Sequence, residues 1–186
     1  VLLSTAPVSL AYGEHSKRLA ANILVLQGDL RLLLNSATSD IHRRSLSLRI
    51  EEKLGLLALL VRSANQKESV SYTHNPEEFR QLLFLFKSSE FKSLLNELES
   101  LSLKYPLFLS PILQSSFPPV FFKQAEEMHL RLCSGCHSGA MAVNFLPAYD
   151  LFMQSRSIAR LEFVARMLTG LRGDKLTSLQ NPLTDT

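Results

Sequence analysis

The chain has 186 residues, 46% of them apolar, which suits one domain or two small ones with a real core. Twenty Lys and Arg against 17 Asp and Glu leave a net charge of +3, spread evenly along the chain. That excludes the concentrated basic stripe of a nucleic-acid binder and the charge bias of a disordered chain. Leucine supplies 38 residues against seven Gly, eight Pro and no Trp. Such a composition predicts an all-α fold and disfavours a β-sandwich.

The first residues, Val1 to Ala11, read as the trailing end of a secretory signal, an apolar stretch closing on the small-x-small pattern Ser9-Leu10-Ala11. The competing reading is an apolar N-terminal arm packed on the domain. Export to a bacterial periplasm is the expectation. No apolar run reaches the ~18 residues of a membrane span, so no transmembrane segment is expected in this sequence.

After Gly13, Leu19, Ile23, Leu26, Leu30, Leu33 and Leu34 recur at three- and four-residue steps and predict a helix, interrupted at Gly28-Asp29 and ended at Asn35-Ser36. Ser39 or Asp40 caps a second, carrying Ile41, Leu46, Leu48, Ile50, Leu54, Leu57 and Val61. The polar stretch Asn65 to His74 reads as a loop. Asn75-Pro76-Glu77-Glu78 then starts a third helix, with a capping Asn, Pro in the first turn and acids behind it. Phe79, Leu82, Leu83, Phe86, Leu94, Leu95, Leu98 and Leu101 carry that helix to about Lys104. Three amphipathic helices with short loops predict an antiparallel bundle over residues 12–110.

Pro106, Pro111, Pro118 and Pro119 mark Tyr105 to Pro119 as a linker or an irregular packed segment, and a domain boundary falls there. A fourth helix runs from about Val120 to Leu132, with Phe121, Phe122, Ala125, Met128 and Leu132 on one face. Helical pattern returns at Ala148 to Ser155 and at Ser157 to Leu171.

Both cysteines of the chain lie in Cys133-Ser134-Gly135-Cys136-His137. Two cysteines build no disulfide framework, and no second Cys/His pair completes a four-ligand zinc site. A redox dithiol needs a βαβ context that this helical chain lacks. The spacing instead suits thioether attachment of one haem c per chain. Two thiols three apart add across the two vinyl groups on one porphyrin edge, and His137 follows in place to bind the iron as proximal ligand.

With that motif in hand, residues from about Pro119 onward resemble a class I c-type cytochrome domain, so that 111–186 reads as a small haem domain. The helix Phe122 to Leu132 is similar to the family's N-terminal helix. The resemblance implies that the carbonyl of Pro147, ten residues after His137, orients the proximal imidazole. It also matches Phe163 to Gly173, with Gly170-Leu171-Arg172, to the helix and Gly-x-Arg turn before the family's distal ligand loop. The family's distal methionine has no counterpart in Leu179 to Asp185. Met167 and Met153 are the substitute thioether donors, and Arg160, Arg166 and Arg172 the candidates for haem propionates. The family continues into a C-terminal helix where this chain stops, which would make 111–186 a truncated haem domain. His129 shares a helix with Cys133 and reads as a half-exposed surface histidine, as do His15, His42 and His74.

The function implied is single-electron transfer by a periplasmic monohaem cytochrome to redox partner proteins, with the N-terminal helices as a docking or spacer region. An enzyme is disfavoured because no acid–base pair stands out. The alternative is a haem sensor or gas-binding protein with an open distal site, in the manner of the c-prime bundle. Against that bundle, 49 residues follow His137 and carry their own helical pattern.

Overall fold

The computed structural model describes residues 13–67, 76–109, 118–137 and 150–170, and every regular element among them is a helix. The protein is all-α. In chain order the helices are α1 (Glu14–Leu34), α2 (Asp40–Lys67), α3 (Pro76–Lys87), α4 (Phe91–Lys104), α5 (Pro119–Leu132), the single turn α6 (Ser134–His137), α7 (Leu151–Ser157) and α8 (Arg160–Thr169). None is long and apolar enough to cross a membrane.

Helix α1 is the central element, touching α2, α4 and α8. Its predicted stripe is buried from Leu19 through Leu33, together with Leu46, Ile50, Leu54, Leu57 and Val61 of α2, Phe79, Leu82 and Leu85 of α3, and Leu94, Leu98 and Leu101 of α4. Each fully buried leucine contributes about 2 kcal/mol by loss of water contact. Tyr105 and Leu109 extend the same buried surface, so the first residues of the proline-punctuated stretch pack rather than hang free.

In the turn between α1 and α2, one side chain binds three backbone carbonyls. Arg43 donates to the carbonyls of Leu33 (2.7 Å), Asn35 (2.7 Å) and Thr38 (3.0 Å), neutralising the negative end of α1.

Four sequence readings need correction. Helix α1 passes through Gly28-Asp29 without a break, because tertiary contacts use both residues. The second helix continues through Asn65 to Lys67, so the first part of the proposed loop is helical. The long third helix is two helices. It ends where Ser89 takes φ 60°, with Glu90 N–H donating to Leu85 O (2.9 Å) and Ser89 N–H to Phe86 O (3.0 Å), a left-handed closure that satisfies the last carbonyls. Ile41 and Leu48 belong to the helical pattern of α2 but not to the core, being 55% and 70% exposed.

A second, smaller cluster joins Ala21 and Val25 of α1 to Ala165 of α8, with Leu24, Leu107 and Leu168 against it. At this contact Asp29, with no solvent exposure, accepts two hydrogen bonds from Arg49 (Nε 2.7 Å, Nη2 2.6 Å) and one from Arg166 Nη1 (3.0 Å). Glu162 completes the set through Arg166 Nη2 (2.7 Å) and Nε (3.0 Å). A Cβ on Gly28 would run into the Glu162 carboxylate and the Arg166 guanidinium, so glycine is what lets α8 lie this close. Burial works against the Arg166 charge, but Asp29 and Glu162 outweigh it and hold its proton more firmly than usual.

Lys53 stands beside the network, donating to Asn22 Oδ1 (2.8 Å). Burial pushes its ammonium down from 10.5 to about 8, against the pull of Asp29 and Glu52 and with the help of Arg49 and Arg166.

Two outcomes follow from these charges. Asp29→Asn leaves two buried guanidiniums short of a counter-charge and should lower stability by about 3 kcal/mol in urea titration. Amide exchange should show α8 losing protection before α2. For Lys53, the folded state holds its proton less tightly than the unfolded chain, so between pH 8 and 10.5 the unfolded state binds more protons. The contribution of this group therefore makes stability rise with pH across that window, by up to roughly 1.4 kcal/mol per pH unit. Lys53→Met should abolish that rise and stabilise the protein at pH 7, read from thermal melts across the window.

Candidate functional site

The motif is carried by the end of α5. Pro118 is extended (φ −53°, ψ 142°) and Pro119 takes the first helical position, where its missing N–H costs nothing. The helix ends at Leu132 with His129 and Arg131 in its last turn, favourable to the helix dipole. Cys133 stays in the right-handed region (φ −119°, ψ −34°), its N–H donating to His129 O at 2.9 Å. Helix α6 then closes a single turn, with His137 N–H donating to Cys133 O (2.9 Å), while Ser134 Oγ donates to Leu130 O (2.6 Å). Residues 133, 136 and 137 thus occupy the i, i+3 and i+4 positions of one helical turn. Cys133 is half-buried with a free thiol, and His137 is half-buried.

Along α5 the apolar residues run toward the motif on one face: Phe121, Phe122, Ala125, Met128 and Leu132, with His129 at its edge. No residue of this helix is buried, and Phe122 is 65% exposed. The neighbour that reaches this side is α7, whose Phe152 meets the His129 ring edge-on with centroids 4.8 Å apart. Helix α7 starts where the Asp150 carboxylate accepts from Met153 N–H (2.9 Å). Phe152 and Met153 are themselves 55% and 72% exposed. The aromatic, apolar surface beside Cys133 has the character of a ligand-facing patch.

These residues fit a haem in two respects. The attachment cysteines and the histidine lie on one helical turn, and the adjoining helix presents an apolar face that the described residues leave uncovered. Among the described residues, no three His, Cys, Asp or Glu side chains gather into a metal-binding group.

The remaining candidates are distributed as follows. Pro147, Arg172 and the stretch Leu179 to Asp185 lie outside the described residues, as do His74 and Val1 to Ala11. Met167 is half-buried on α8, the helix that packs against α1. Arg160 is exposed. Arg166, a propionate candidate by sequence, is instead committed to Asp29 and Glu162. That network escaped the sequence reading, although Gly28-Asp29 within an apolar helix and the Glu162/Arg166 spacing were its visible marks.

Neither family models, curated proteins nor solved structures compared with the chain give a match. The functional reading therefore rests on the residues themselves.

Asp150→Ala removes the only side-chain cap of a seven-residue helix and should cost about 1 kcal/mol locally. The check is faster amide exchange at Met153, accompanied by loss of the ring-current shift that Phe152 imposes on His129.

Proposed function

We propose that this chain is a monohaem c-type cytochrome that passes single electrons between protein partners in a bacterial periplasm. The observation that carries the proposal is Cys133-Ser134-Gly135-Cys136-His137 in a helical turn at the end of an apolar helix face that the described residues leave exposed. In this reading residues 111–186 form a class I cytochrome-like haem domain, and α1–α4 an antiparallel bundle that serves as spacer or docking region.

A haem bound here supplies a one-electron Fe(III)/Fe(II) couple. Cys133 and Cys136 would hold the group through thioether bonds, each thiol adding its S–H across one vinyl group, and His137 would supply an imidazole nitrogen to the iron. By the family resemblance, the Pro147 carbonyl would orient that imidazole. The apolar residues Phe121, Phe122, Met128 and Leu132 of α5 would help exclude water beside the group, which would lower the reorganisation that accompanies a change of charge.

A second ligand to the iron would find no methionine in the family's usual place, Leu179 to Asp185, and Met167 would be the substitute nearest to it in sequence. The iron would then have an open or weakly held site. That feature also supports a second reading, a haem-based sensor that binds a diatomic gas at the open position.

Expression with a cytochrome maturation system should add the mass of one haem, retained through denaturation, with a c-type pyridine haemochrome spectrum. Extraction of all colour by acid acetone would refute the proposal. Cys133→Ser with Cys136→Ser should leave no covalent haem. The ferrous protein should bind carbon monoxide readily and the ferric form should be high-spin. A sulfur-to-iron charge-transfer band lost on Met167→Ala would assign the distal site to that residue.

A further inference from the structure

The chain has two glycines deep inside long helices, and among the described residues only Gly28 has a close neighbour that accounts for it. Gly28 admits the Glu162 and Arg166 side chains of α8. Gly55, in the middle of α2, is exposed, and a Cβ there would meet nothing within 4 Å. A mid-helix glycine costs helix stability unless something must approach closely, and none of the described residues approaches Gly55.

The same face of α2 carries the apolar residues that the core does not use. Ile41, Leu48 and Gly55 follow one another at seven-residue steps, so they fall on a nearly straight line along the helix, with Leu59 one turn beyond. Ile41, Leu48 and Leu59 are 55%, 70% and 55% exposed. Arg44 and Glu52 flank the line on opposite sides, both exposed and neither in an ion pair among the described residues.

This pattern complements itself. If a second α2 runs antiparallel across the first with Leu48 opposite Leu48, then Ile41 of each copy lies opposite Gly55 of the other. In the same register Arg44 of each copy lies opposite Glu52 of the other. Bulk meets the gap and charge meets counter-charge twice, as a two-fold interface requires. We propose that α2 is the homodimerisation helix of this protein, packing antiparallel on a second copy about Leu48.

The proposal does not depend on the haem reading, so each can fail alone. Sedimentation velocity on the full chain over a concentration series should show a dimer that dissociates on dilution. Arg44→Glu and Glu52→Arg should each raise the dimer Kd by at least about tenfold, and the double swap should restore it, because the two charges exchange places. In a Cys133→Ser, Cys136→Ser background, Leu48→Cys should form a disulfide-linked dimer on mild oxidation, while Leu103→Cys, 84% exposed on α4, should not. A monomer at every concentration into the millimolar range overturns the proposal. So does a double swap as weak as either single variant, or equal cross-linking at positions 48 and 103.

Discussion

Asp29 is a carboxylate with no exposure to solvent, set in the middle of an otherwise apolar helix, and the placement of α2 and α8 depends on what it requires. Taking such a charge out of water costs several kcal/mol unless hydrogen-bond donors replace the lost water. Three N–H groups do so, two from Arg49 and one from Arg166. The Arg49 fork fixes the register of α2 along α1, and the Lys53–Asn22 bond, one helical turn further, repeats that register. The Arg166 contact fixes α8, and Gly28 makes the approach sterically open. Between Leu109 and α8 the described helices α5 and α7 contribute no buried residue, and the motif Cys133 to His137 lies on this stretch.

The charges at this contact do not balance. Asp29 and Glu162 face Arg49, Arg166 and Lys53, while Arg31 is shared between Glu99 (3.0 Å) and a longer approach to Glu162 (4.0 Å). Guanidiniums keep their charge under almost any desolvation, whereas an ammonium yields its proton readily when buried. Lys53 is accordingly the group that yields: burial lowers its pKa most, Arg49 and Arg166 add to the shift, and Asp29 and Glu52 oppose it. Ion pairs of this kind seldom outperform apolar packing in stability. Their contribution here is to select one register and one partner helix among the many that leucine-rich faces would accept.

Much of this could be read from the sequence, and the failures have a common cause. Leu19, Ile23, Leu26 and Leu30 mark α1 because periodicity reports which side faces a core, and Asn75-Pro76-Glu77-Glu78 marks a helix start because its local chemistry is sufficient. Gly28-Asp29 was read as an interruption because a glycine and a carboxylate weaken an isolated helix, while their partners lie 20 and 137 residues away. Ser88-Ser89 carries no glycine or proline to announce the left-handed residue that splits α3 from α4. Among the site residues, the motif Cys133 to His137 is visible in the sequence as a spacing, and the structure adds that it sits at the end of α5 in a single helical turn. The fate of Arg166 is not visible there, because a lone arginine on a helix gives no sign of which anion it will meet.

Periodicity also fails to distinguish a face buried by its own chain from a face awaiting something else. Helices α2 and α5 both carry leftover apolar residues, and the difference between them lies in what accompanies those residues. On α5 the face is aromatic and ends at a thiol and an imidazole, groups that make covalent and coordinate bonds, which suits a flat, hydrophobic prosthetic group. On α2 the face is aliphatic and regularly spaced, holds a glycine gap, and carries one charge of each sign at equal distances from Leu48. A small ligand has no use for such symmetry, whereas a two-fold axis demands it. The two faces also sit at different places in the packed structure. The α2 face lies on a long helix whose opposite side is locked to α1, a rigid platform suited to a protein interface. The α5 face lies between Leu109 and α8 in the chain, on a helix with no buried residue, so covering it would leave the core contacts of α1–α4 in place.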